Sequence, residues 1–224
     1  MNAATQASVA ARRSAVYWLL AEFLLVCPSR AQVERLREDL AGSDAAEADA
    51  DPLAAGLAAV RDALPEHTDA AAIDQLAVEY TRLFGAISPN YGLAPPYESV
   101  QRKTAAAAEL AVAISASYSD AGFEAIDSSV PPDHLGVELR FMALLCHDEM
   151  QQWQSNDAEK AVQSLGRQRD FLDDHLLQWA PGYLRLVQMQ AGHAFFRNVA
   201  ALGVDVIPAD RAMFEEILAD LDAA

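Results

Sequence analysis

The sequence predicts an all-α protein, folded as a single compact bundle of about eight to nine helices. Alanine makes up much of a hydrophobic fraction of 52%, and alanine favours helix and permits close helix packing. Runs of β-branched residues are nearly absent, and most of the ten prolines and ten glycines lie between segments of helical periodicity. A chain of 224 residues is long enough for one domain with its own core.

Capping residues and prolines place four helices in the N-terminal part. Ser29 and Gln32 have the form of a capping box, while Asp51 followed by Pro52 is a favourable helix start. Thr68 or Asp69 is expected to cap the fourth helix. The predicted helices span residues 4–26, 30–40, 52–64 and 69–84.

Five further helices are predicted in the C-terminal part. Each of the last two is expected to begin at a proline, Pro181 or Pro208, because proline is well tolerated in a first turn. The predicted helices span residues 99–121, 133–154, 158–179, 181–202 and 208–221. The prediction is therefore one domain over residues 1–224. An N-terminal subdomain 1–84, a loop 85–98 and a C-terminal subdomain 99–224 form a possible division of it.

The balance of charge excludes some functions. Asp and Glu outnumber Lys and Arg by 33 to 16, which gives a formal net charge of −17 and no basic footprint for nucleic acid. Such a surface attracts basic partners, although solubility alone would also explain it. Phosphate-binding loops and a GxSxG nucleophile elbow are absent, so neither a nucleotide nor nucleophilic catalysis is predicted.

Compartment signals favour the cytoplasm. Arg12 and Arg13 precede an apolar stretch, but Glu22 interrupts it, so we predict neither a signal peptide nor stable membrane insertion. Cys27 and Cys146 are far apart and lie in apolar helical segments, which predicts two buried free thiols in a reducing compartment.

Aromatic residues accompany the loop at residues 85–98, which is long for a compact helical domain. Tyr91 and Tyr97 flank its prolines, and Tyr17 and Trp18 lie on the first helix. With the acidic surface, they could form a groove for an apolar, basic peptide. The alternative is that these aromatic residues belong to the core, which we expect for Trp18 and Trp153.

A polar cluster on the helix at residues 133–154 permits a second hypothesis. Asp133 suits the first turn of this helix, and His134 could hydrogen-bond Glu138 four residues later. A dinuclear metal bundle requires Glu-x-x-His motifs on two helices, and none is present, so no metal is predicted. The alternative function is a helical metalloenzyme that uses four residues: His134, Glu138, His147 and Asp148.

Two sequence signatures in register resemble the TorD/DmsD/NarJ family of molybdoenzyme maturation chaperones. The first contains EYTRLF at residues 79–84 and PYESV at residues 96–100, on either side of the Pro-rich loop. The second contains PDHL at residues 132–135 followed by ELRFM at residues 138–142. A weaker third match covers Phe171, Leu172, His175, Leu176 and Trp179. Order and spacing agree over about residues 75 to 180.

The resemblance implies a TorD/DmsD-like helical fold, no catalytic residue and no cofactor. It implies a cytosolic chaperone that binds the apo catalytic subunit of a molybdenum-cofactor oxidoreductase, at its N-terminal twin-arginine leader. The chaperone would aid cofactor insertion and delay export until the client is folded, acting as a monomer or homodimer. Six residues are expected to form the leader-binding site: Tyr97, Glu98, Ser99, Asp133, His134 and Glu138.

Overall fold

The computed structural model describes residues 2–41, 51–85, 92–123 and 129–222. These residues form helices and turns without a β-strand, which confirms the all-α prediction. Ten α-helices lie in the described ranges: α1 Ala3–Leu25, α2 Arg30–Asp39, α3 Pro52–Asp62, α4 Ala70–Phe84, α5 Glu98–Gln101, α6 Ala107–Asp120, α7 Leu135–Gln154, α8 Ala158–Phe171, α9 Leu177–Gln190 and α10 Ala194–Asp222. A π-helical segment, Leu172–Leu176, joins α8 to α9.

Local capping signals fix the N-terminal helices as predicted. The Ser29 side chain accepts from the backbone N–H of Gln32, whose own side chain accepts from the backbone N–H of Ser29, so the capping box is present. Asp51 and Asp69 each accept a backbone N–H of the following first turn. Each bond satisfies a donor that the helix itself leaves unpaired.

The helix predicted over residues 99–121 is wrong, because a turn divides it into α5 and α6. Lys103 has a left-handed backbone with φ of 51°, which a continuous α-helix excludes. Thr104 then accepts a hydrogen bond from the Ala106 N–H, which supports the turn. Ser99 lies in the short helix α5 and hydrogen-bonds Asp133, which precedes α7.

The starts predicted at Pro181 and Pro208 are also wrong. Pro181 lies inside α9 and Pro208 inside α10. A proline removes one i→i−4 hydrogen bond, but burial of the flanking side chains overrides this local preference. Ala180 and Leu184 are buried around the first proline, and Ile207 precedes the second.

Contacts divide the chain into two compact units. The first contains Met1–Leu25, Pro96–Ala180 and Ile207–Ala224, and the second contains Val26–Pro95 and Pro181–Val206. The units are interleaved along the chain, whereas the division expected from the sequence ran consecutively through residues 85–98. The single-domain assignment stays a prediction.

The first unit contains a buried ionic network centred on Arg13 of α1. Its guanidinium donates to Asp210 of α10 at 2.5 and 2.9 Å, to Glu149 of α7 at 2.8 Å and to Gln168 of α8 at 2.5 Å. Tyr17 also donates to Asp210, at 2.8 Å. Burial raises the pKa of Glu149 in spite of the facing guanidinium. Four helices therefore share one buried cation.

The second unit contains a polar clamp formed by Glu79 and Arg82 of α4. Arg82 donates to the Gln190 carbonyl at the end of α9 at 2.7 Å, while Glu79 accepts the N–H groups of Gly192 and His193, which precede α10. The hydrogen bonds from Arg82, which lies beside it, lower the pKa of Glu79 to about 2. Both charged residues of the EYTRLF signature thus pair with backbone groups at helix ends.

Four side chains test the expected core. Trp153 and Cys146 are buried as predicted, but Cys27 is exposed. Trp18, expected in the core, is instead 45% exposed, and the Arg140 guanidinium lies 5.2 Å from its ring centroid.

No described helix combines the length and the apolar character needed to cross a bilayer.

Candidate partner-binding site

The structure brings the two main signatures side by side. Tyr97 and His134 form an isolated antiparallel bridge, with Glu98 N donating to Asp133 O and Leu135 N donating to Pro96 O, both at 2.8 Å. The Tyr97 and His134 rings meet edge to face at 5.3 Å between centroids. Residues 34 or more positions apart in sequence therefore form one short paired segment in the first unit.

The buried side chain of Asp133 connects the two signatures through hydrogen bonds. Its Oδ2 accepts from the Ser99 hydroxyl at 2.6 Å and from the Ser99 N–H at 3.2 Å. Only 5% of Asp133 is exposed. The expected place of Asp133 in the first turn of the helix is wrong, because α7 begins at Leu135.

His134 is the residue that caps α7. Its Nδ1 accepts from the Gly136 N–H at 3.0 Å, so in the neutral ring the proton is on Nε2. Gly136 is required here for packing as well, because a Cβ at this position would overlap the Leu25 side chain of α1. The capping histidine therefore lies two residues before a close contact between α7 and α1.

Glu98 and Glu138 form a fully buried carboxyl pair beneath the paired segment. Glu98 accepts from His175 Nδ1 at 3.0 Å and is paired with Arg102, while Glu138 accepts from Trp179 Nε1 at 3.3 Å. Burial, and then the negative charge of Glu98, raises the pKa of Glu138 well above its usual range. The O–H of neutral Glu138 can donate a hydrogen bond to the Glu98 carboxylate.

The six expected site residues are thus brought together, but with unequal access to solvent. Tyr97 and Ser99 are partly exposed, whereas Glu98, Asp133, His134 and Glu138 are buried. Tyr17, expected near a groove, is fully buried, and Tyr91 lies outside the described residues. The exposed edge continues from Tyr97 to Val100, which is 42% exposed.

Three partners of this network were not among the expected site residues: Arg102, His175 and Trp179. The weak third signature already contained His175 and Trp179. The π-helical segment brings His175 to Glu98, because its wider turn changes the angular position of the residues that follow. His175 itself is buried, and its Nδ1 lies 3.0 Å from Glu98 Oε2.

The four residues of the metalloenzyme alternative do not meet. His147 and Asp148 lie about 20 Å along α7 from His134, at a rise of about 1.5 Å per residue. They pair with Gln151 and Gln152 of their own helix. The part of the chain that the structure describes contains no group of three potential ligand side chains suited to a metal.

The described residues thus form an all-helical protein with an internal polar network at its two signatures. The chain belongs to the nitrate reductase delta subunit family, whose model matches residues 46–185. This result confirms the resemblance to the TorD/DmsD/NarJ family. Members of the family are maturation chaperones and not enzymes.

A crystal structure of a proposed redox enzyme maturation protein from Archaeoglobus fulgidus is similar to the chain. Sequence identity is 20%, the TM-score is 0.48, and the match covers 91% of this chain and 93% of the other. No curated protein matches the chain.

Proposed function

We propose that this protein is a maturation chaperone for a molybdenum-cofactor oxidoreductase. It binds the apo catalytic subunit at the N-terminal twin-arginine leader, aids cofactor insertion and delays export until the subunit is folded. The observation that carries the proposal is the family match over residues 46–185, which contains both signature segments and the polar network between them.

The charge of the chain supports a basic partner segment. A formal net charge of −17 attracts a leader that carries arginines and accelerates its encounter with the chaperone. The exposed apolar side chain of Val100, within the first signature, suits the hydrophobic part of a leader. Covering that segment would also keep an incompletely folded client from aggregating.

Within the site, we assign contact and positioning to different residues. Tyr97 and Ser99 are partly exposed and are proposed to touch the leader. Glu98, Asp133 and His134 are buried and hold this segment through the hydrogen bonds described above. Glu138 supports the same arrangement through Trp179.

Affinity purification of the tagged protein from its native host, grown anaerobically, tests the function. We expect a molybdoenzyme catalytic subunit to co-purify, and to be lost when its N-terminal leader is deleted. The Tyr97→Ala bait should recover less than about a tenth as much client, because exposed aromatic anchors dominate interface energies. Val112→Ala on α6 is the control, since it also truncates an exposed apolar side chain.

Two results would count against the proposal. Absence of any molybdoenzyme subunit from the wild-type eluate removes the chaperone assignment. Equal recovery with the wild-type protein and a folded Tyr97→Ala variant removes the assigned contact surface while the chaperone assignment stands.

A further inference from the structure

A cavity of about 220 Å³ lies in the first unit, apart from the six residues of the candidate site. Buried aromatic rings form its base, and carboxylates surround its mouth. The base contains Phe141, Phe171 and His175, and the mouth contains Asp120, Asp170 and Asp174.

The base is a continuous set of aromatic rings in contact with one another. The Phe141 and Phe171 centroids are 4.8 Å apart in an edge-to-face arrangement, and the Phe171 and His175 centroids are 4.9 Å apart. Aromatic rings attract cations that approach within about 6 Å of their centroids, and more strongly where water is excluded. This base therefore suits a flat cation that has both polar edges and apolar faces.

The mouth carries the complementary charge. Asp120, Asp170 and Asp174 are all exposed, and Arg167 is the one cation among the residues that line the cavity. Three carboxylates and one guanidinium give the lining a formal charge of −2. Arg169, which is not part of the lining, donates to Asp170 Oδ1 at 2.7 and 3.0 Å. Asp120 and Asp174 can accept N–H bonds from an incoming cation, and such bonds strengthen when the donor is charged.

His175 adds a hydrogen-bond acceptor to this wall. It is 8% exposed, and its Nδ1 is 3.0 Å from Glu98 Oε2. With Nδ1 donating to Glu98, the neutral ring presents Nε2 as an acceptor. Among the residues that the structure describes, none hydrogen-bonds this Nε2. The cavity thus offers an unfilled acceptor to an incoming donor.

From these features we infer that the cavity binds an arginine side chain of a partner polypeptide. A guanidinium has five N–H donors in one plane and stacks on aromatic rings, whereas an ammonium is a compact, strongly hydrated charge. The cavity therefore selects arginine over lysine. This inference deepens the proposed function and rests on it for the identity of the partner, an arginine-bearing segment of the client.

Nuclear magnetic resonance titration of the full chain with Nα-acetyl-arginine methylamide tests the site directly. We expect saturable shifts of the Phe171 and His175 ring signals, weaker binding of the lysine analogue and none of the uncharged citrulline analogue. Asp170→Asn combined with Asp174→Asn should weaken arginine binding at least about fivefold, through loss of two negative charges at the mouth. Asp39→Asn combined with Asp205→Asn changes the charge equally at exposed sites outside the cavity and should have no effect.

The inference is overturned if the arginine compound causes no saturable shift, or if citrulline binds equally well. A second titration with a leader peptide separates the site from the proposed function. Equal leader affinity for the wild-type protein and the Asp170/Asp174 double variant overturns the inference and leaves the proposed function standing. Arginine binding in the cavity without leader or client binding supports the site and rejects the proposed function.

Discussion

Two glutamate side chains in the first unit, Glu98 and Glu138, have an unusual environment because both are fully buried. A carboxylate seldom lies in a protein interior without a cation, yet Glu98 and Glu138 are both fully buried beside each other. Arg102 and His175 accompany Glu98, whereas Glu138 has the Trp179 indole. Burial, and then the negative charge of Glu98, raises the pKa of Glu138, so the neutral form of Glu138 removes one of two repelling charges.

The Glu138→Gln substitution should change how stability depends on pH. In the unfolded chain Glu138 ionises near its ordinary pKa, about 4.3, while the folded state keeps it neutral to higher pH. Its contribution to folding is therefore full below about pH 4.3 and is lost as pH rises toward the folded pKa, by at most about 1.4 kcal/mol per pH unit. Between pH 5 and pH 8, the free energy of unfolding of E138Q should increase relative to that of the wild type.

Denaturant unfolding at four pH values measures this difference. Glu159→Gln, at an exposed position on α8, is the matched control and should remain parallel to the wild type. Parallel curves for E138Q and the wild type would show that Glu138 is ionised in the folded protein.

Two glycines within helices, Gly136 and Gly166, differ in how closely a neighbouring side chain approaches them. Gly136 lies in the first turn of α7, where an added Cβ would come within 3.0 Å of Leu25 Cδ2 and closer still to its Cγ. Gly166 lies inside α8, and an added Cβ there would meet nothing within 4 Å. One glycine therefore permits the contact of α7 with α1, and the other only weakens its own helix.

Alanine substitutions at these two positions should change the stability of the protein in opposite directions. Gly136→Ala overpacks the contact with α1 and should cost about 1–3 kcal/mol. Gly166→Ala should stabilise the protein by up to about 1 kcal/mol, the difference in helix propensity between the two residues. Urea unfolding of both variants provides the comparison, in which each acts as the control for the other. Stabilisation by Gly136→Ala would contradict the close contact.

At the scale of the whole molecule, Arg13 connects distant parts of the chain. Its partner Asp210 is 197 positions away in sequence, and Glu149 is 136 positions away. All three side chains are buried. Removing one member of such a network leaves unpaired charges in the interior, which costs far more than the network itself contributes.

Arg13→Ala should lower the free energy of unfolding by about 3–5 kcal/mol, because it leaves both Asp210 and Glu149 without their cation. Arg12→Ala, on the exposed side of the same helix turn, should cost about 1 kcal/mol or less. Chemical denaturation monitored by circular dichroism compares the two variants. Equal losses for Arg12→Ala and Arg13→Ala would rule out the buried network.

The sequence alone determined the helical class and most helix starts in the N-terminal part. Capping and periodicity act within a few residues, so Ser29, Asp51 and Asp69 could be recognised without knowing their tertiary neighbours. The expectation that the residues of the two signatures lie near each other is also confirmed, because Tyr97 and His134 form a bridge.

Only the tertiary structure decided what those residues touch. Packing overrode the local signals of Pro181 and Pro208, and a turn at Lys103 divided a helix that periodicity made continuous. The adjacent residues Arg12 and Arg13 are indistinguishable in sequence, yet one is exposed and the other lies at the centre of a buried network. Burial and long-range pairing depend on the positions of several helices at once, and no short stretch of sequence encodes those positions.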